Sequence, residues 1–75
     1  MRDDMPMVEF AMAKRGRARR VALKLKPGMV AKRMGVTYQR VWQLERSGCS
    51  NLATIRKWAA ALEMKPSELA FGGDE

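Results

Sequence analysis

The residues of this chain best equipped for chemistry are its cations. Fifteen Lys and Arg stand against eight Asp and Glu in 75 residues, a net charge of +7 with no His. The charge is uneven: residues 1–12 carry −2, residues 13–26 carry +7, residues 27–46 carry +3 and residues 47–75 carry −1. A cationic block of that density suits a polyanion, and the acidic C-terminal end argues against a uniformly sticky protein. Catalysis has little to work with. There is no His, the single Cys49 stands among turn formers, and no pair of carboxylates converges in an apolar pattern. The usual nucleophile–base and acid–base arrangements therefore lack members, and the chain is expected not to be an enzyme. One Cys and no His give neither an internal disulfide nor a zinc site, so no metal or cofactor is implied. The longest unbroken apolar run, Trp58 to Leu62, is far short of the roughly 20 residues that cross a bilayer. No secretory apolar core opens the chain, so a cytoplasmic location and no membrane partner are expected.

A chain this short forms one small domain, burying only about 60% of its unfolded surface. Its most informative stretch is residues 27–44, PGMVAKRMGVTYQRVWQL. It reads as two short helices around a sharp turn. Val30, Met34, Val36, Val41 and Leu44 supply an apolar side, and Ala31 is small where two helix axes must approach. Gly35 suits a left-handed closing turn, and Thr37 is an N-cap candidate for the second helix. This is the layout of a helix-turn-helix, which presents the outer face of its second helix to a DNA major groove. The bland alternative is an αα-hairpin that touches no nucleic acid.

The remaining elements follow from periodicity and punctuation. Residues 13–25 read as helix 1, with Val21 and Leu25 four apart and Ala18 and Leu23 nearby. Gly16 costs that helix about 1 kcal/mol against Ala, or marks a later start. Pro27 opens helix 2, and helix 3 runs from Tyr38 to about Arg46. Ser47–Asn51 is a loop ending in an N-cap, after which Leu52, Ile55, Trp58, Ala59 and Leu62 repeat at helical spacing in helix 4. Pro66–Phe71 forms helix 5, closed by Gly72 and Gly73. Residues 1–12 precede the domain as an arm or pairing segment. Pro6 and the partial alternation of residues 7–12 also fit a short strand, or an extension of helix 1 with Pro6 at its first position. Val8 and Phe10 there contact a partner subunit or pack on their own domain.

From Ala13 to Gly72 the pattern resembles the phage repressor and Cro (Xre-type) family of helix-turn-helix domains. Leu44-Glu45-Arg46-Ser47-Gly48 is similar to the family's leucine-glutamate-x-glycine ending with one extra residue. Ala61-Leu62 and Pro66-Ser-Glu-Leu69 look like its junction between helices 4 and 5. The resemblance implies an all-α, five-short-helix repressor-like domain over residues 13–72, with the N-terminal arm over 1–12 and a tail over 73–75. Two positions depart from the pattern. Pro27 stands where several relatives carry a DNA-contacting glutamine, and Gly16 replaces an apolar core residue, which Phe10 or Met12 would have to make good.

Carried over position by position, the resemblance makes Arg20 and Glu45 an ion pair locking helix 1 to helix 3, as guanidinium and carboxylate match bidentately. It makes Tyr38, Gln39, Arg40 and Gln43 the readers of base edges. Gln can bond adenine N6/N7, Arg guanine O6/N7 or a phosphate, and Tyr38 a thymine methyl or a phosphate. Phosphate contacts fall to Lys26, Thr37, Arg46, Ser50 and Asn51, at helix starts and in the loop after helix 3. Lys32, Arg33, Arg56, Arg15, Arg17 and Arg19 are further cations for flanking phosphates or for solvation. Trp42 covers the loop after helix 3, lies along the sugar–phosphate backbone, or is partly buried; Trp58 belongs to the core. Met64, Leu69 and Phe71 are the expected dimer contact.

The function these readings imply is sequence-specific binding of double-stranded DNA by a homodimeric transcriptional regulator, a repressor or autoregulator at an inverted repeat. The alternative is an antitoxin-type or interaction module of the same fold, whose main partner is a protein (a toxin or another regulator) or RNA.

Overall fold

Proline, glycine and the short polar side chains set where the helices start and stop. The computed structural model describes residues 7–72, which form α1 (Met7–Ala22), α2 (Pro27–Met34), α3 (Tyr38–Ser47), α4 (Leu52–Ala61) and α5 (Pro66–Phe71). The domain is all-α, and no strand occurs among the described residues. Pro27 and Pro66 occupy first helical positions, where a missing N–H costs nothing. Thr37 Oγ1 accepts the Arg40 N–H and Asn51 Oδ1 accepts the Thr54 N–H, both at 3.1 Å, capping α3 and α4. Gly35, at φ 72°, closes α2. Its N–H reaches Lys32 O and the Val36 N–H reaches Ala31 O at 3.0 Å, a turn geometry that glycine enters without strain.

α1 differs from the sequence expectation at both ends. It begins at Met7 rather than Ala13, so residues 7–12, assigned first to an arm or pairing segment, follow the alternative of a helix 1 extension and form its first turns. The physical reason lies in Met12 and Ala13, both buried against the core, which helical but not alternating spacing allows. Residues 1–6, the tail 73–75 and the side chain of Val8 lie outside the described residues. The helix stops at Ala22 instead of Leu25 because Lys24 turns left-handed at φ 60°, letting the Leu25 N–H return to Arg20 O at 3.0 Å.

α1 packs on α3 and α5, α2 on α3 and α4, and α4 on α5. At their centre lies Trp58, with Met12, Val30, Val41, Leu44, Leu62 and Leu69 fully buried around it. Gly16 is not a flaw here but a fitting surface. A Cβ at that position would overlap Trp58 Cζ2 and come within 2.9 Å of Cε2. Of the two candidates for repacking helix 1, Met12 is buried and Phe10 is half exposed beneath the Lys14 ammonium, 5.4 Å from its ring centre.

Three arginines hold helix ends. Arg19 donates to Leu62 O at 3.0 Å and Glu63 O at 3.1 Å, and Arg33 to Ala61 O at 2.8 Å. Arg15 reaches Leu69 O and Ala70 O at 3.3 Å. Cations bonded to the last carbonyls of a helix complement its dipole. Arg19 and Arg33 also anchor the turn after α4, where Glu63 adopts a left-handed φ of 59° that disfavours a side chain by roughly 1–2 kcal/mol.

Candidate nucleic-acid interface

α3 is held so that one face points inward and the other out. Val41 and Leu44 are completely buried. On the flank, Arg20 of α1 donates through Nε to Glu45 Oε2 at 2.6 Å and through Nη2 to Oε1 at 3.1 Å. Its Nη1 binds Leu25 O at 3.0 Å, so one guanidinium ties α1, the α1–α2 turn and α3 together. The two side chains are only 13% and 12% exposed, which gives the bidentate pair a drier setting than a surface salt bridge.

The outward face of α3 carries Tyr38, Gln39, Trp42, Gln43 and Arg46, all exposed, lining one shallow depression of about 410 Å³. A second, of about 360 Å³, is lined by Arg17, Arg20, Pro27, Trp42, Glu45 and Arg46. The first offers amides and aromatic edges; the second is rimmed by three arginines and the first residue of α2. Arg40 is partly buried and donates to Gln43 Oε1 at 3.3 Å. That bond occupies the amide oxygen of Gln43 and leaves its NH₂ to face outward acceptors.

The sequence-derived phosphate residues do not all converge. Arg46 lines both depressions, beside Tyr38, Gln39 and Gln43 in the first and with Trp42 in each. Lys26 is exposed at the start of α2, with its backbone N–H on Met29 Sδ at 3.5 Å. Thr37, Ser50 and Asn51 are exposed at the starts of α3 and α4, and Thr37 and Asn51 each commit a side-chain oxygen to capping. Among the further cations, Arg15, Arg19 and Arg33 are turned to helix carbonyls, whereas Arg17 lines the cationic depression.

Trp42, for which the sequence leaves three placements open, stands on the outer face of α3. It is 51% exposed, shared by both depressions, and edge-on to Tyr38 with ring centres 6.1 Å apart. The spacing of Tyr38 and Trp42, one helical turn apart, was the available signal. In the dimer set, Leu69 is a correction: it is 0% exposed within its own core, because the face of α5 it occupies packs on α4 and α1. Met64 is partly buried against that core, and Phe71 is 70% exposed. Burial holds the Cys49 thiol above its ordinary range, outweighing the Asn51 backbone hydrogen bond and the Arg40 charge that pull it down.

This arrangement is a five-helix domain organised around an outward-facing helix at the second position of a helix-turn-helix. Among solved structures the chain is similar to that of the hypothetical transcription factor NHTF from Neisseria, with a TM-score of 0.78 and 26% sequence identity. The match covers 85% of this chain and 75% of that one. No family model and no curated protein matches the sequence. No helix among the described residues is long and apolar enough to cross a membrane.

Proposed function

We propose that the protein is a sequence-specific DNA-binding transcriptional regulator of the Cro/Xre type, acting as a repressor or autoregulator. The observation that carries this reading is the set of exposed amides Gln39 and Gln43 on the outer face of α3, with Arg46 beside them. The same helix is fixed from behind by buried Val41 and Leu44 and on its flank by Arg20–Glu45. A helix that enters the major groove needs that combination of a rigid back and a donor–acceptor front. The likeness to a hypothetical transcription factor supports the same class. Arg17, Lys26 and Arg46, with the starts of α2, α3 and α4, supply the phosphate contacts, which fix register without reading sequence. Two copies joined through Phe71 would set two α3 helices on successive turns of an inverted repeat, and occupancy of promoter DNA would block transcription.

The test is selection from a randomised duplex pool, with the bound sites sequenced and the salt dependence measured. An enriched inverted repeat is the expected result. Steeply salt-dependent binding without an enriched site would contradict the reading, and would move a protein or RNA partner, as in the antitoxin-type alternative, ahead of DNA.

A further inference from the structure

Among the described residues, the exposed large hydrophobics are scattered one or two to an element over α1, α2, α4 and α5, except on α3, where Tyr38 and Trp42 lie together at 51% exposure each. Isolated exposed apolar residues are ordinary. A paired aromatic wall amid the polar and cationic residues of one helix face is not. The two rings meet at 64° in an edge-on contact, a favourable aromatic geometry that steadies each indole and phenol against the other. Their surroundings are amides and cations: Gln39, Gln43 and Arg46 line the first depression with them, and Arg17 and Arg46 flank Trp42 in the second.

Base edges in the major groove present hydrogen-bond donors and acceptors and one apolar group, the C5-methyl of thymine. An aromatic wall flanked by amides on a groove-facing helix has that methyl as its chemical complement. We infer that Trp42, backed by Tyr38, reads the C5-methyl of a thymine in each half-site, so that it is a specificity-determining residue beside Gln39 and Gln43. This rests on the DNA-reading function proposed above. The indole contributes no hydrogen bond to the discrimination; it shields a methyl group from water. Burial of one such group is worth about a fourfold change in affinity.

Thymine and uracil differ by that methyl alone, which isolates the contact without altering the protein. The full chain is titrated with its selected duplex and with duplexes in which each thymine in turn is replaced by deoxyuridine. One thymine per half-site should lose about fourfold in affinity on replacement. In Trp42→Gln, which remains folded with a melting temperature only slightly lowered by loss of the Tyr38 contact, the same replacement should change nothing, whereas Trp42→Leu, still apolar, should keep part of the sensitivity. Indifference of every thymine to replacement overturns the inference. So does a uracil sensitivity that survives in Trp42→Gln, which would assign the methyl to another residue. Equal weakening of Trp42→Gln on all sequences, with no uracil effect, would put the indole on the sugar–phosphate backbone and overturn it too. A pool that yields no enriched site defeats the underlying DNA-reading function before any uracil is introduced, so the two failures are distinguishable.

Discussion

Arg20 of α1 and Glu45 of α3 meet through two hydrogen bonds, of 2.6 and 3.1 Å, while the same guanidinium also holds Leu25 O. The pair braces the flank of the helix that carries Gln39 and Gln43. Its removal therefore acts on the fold and on recognition together. Glu45→Ala should destabilise by about 3 kcal/mol, because a largely buried guanidinium is left unpaired, and DNA affinity should fall with it. Replacing both, Arg20→Met with Glu45→Leu, should recover most of the stability. Urea unfolding midpoints of the three variants check this. A Glu45→Ala loss below about 0.5 kcal/mol, the range of an ordinary surface site, would show that the pair does no more than an exposed salt bridge.

Gly16 inverts the usual expectation for a helical glycine. Propensity alone predicts that Gly16→Ala gains about 1 kcal/mol. The Trp58 ring, which a Cβ at Gly16 would overlap, predicts instead a loss of about 2 kcal/mol through overpacking. The sign of the change in melting temperature decides between them.

Much of this was legible and some was not. The helix starts and stops at Pro27, Gly35, Thr37, Asn51 and Pro66 were readable because each is a local effect of ring, φ or side-chain oxygen. The first turns of α1 stayed open, since Pro6 and residues 7–12 fit an arm, a strand or a helical extension alike, and the helical register is decided only when Met12 meets the core. Gly16 looked like a defect because the ring that explains it lies on α4, far along the chain. The clamps from Arg15, Arg19 and Arg33 to helix carbonyls are equally non-local, so these cations read as solvated or phosphate-bound. On α5, six residues give too little periodicity to say that Leu69 faces inward and Phe71 outward.

The cations divide by what they touch. Arg19→Ala removes two hydrogen bonds to the turn after α4 and should cost about 1–2 kcal/mol of stability. Arg46→Ala should leave stability within about 0.5 kcal/mol, weaken DNA binding evenly across sequences and reduce the salt slope by about 1. Thermal unfolding and salt-dependent titration of the two variants separate the roles. An Arg46→Ala protein with an unchanged salt slope would remove it from the phosphate contacts.

The two α5 residues should part in the same way. Phe71→Ser should leave the fold intact and shift sedimentation equilibrium toward monomer, since the ring is exposed in the single domain. Leu69→Ala should cost about 3 kcal/mol by opening a cavity. Unchanged self-association of Phe71→Ser would place the dimer contact elsewhere.

The central property proposed for α3 is that it reads base pairs. The direct measurement is the affinity of the wild type and of Gln39→Ala for the selected site and for each of its single base-pair variants. The wild type should lose tenfold or more, about 1–3 kcal/mol, at a defined pair in each half-site. Gln39→Ala should become indifferent at that pair while keeping its preferences elsewhere. A Gln39→Ala protein that binds every variant with the wild-type pattern, or loses affinity equally for all of them, would contradict the assignment of α3 as the reading helix.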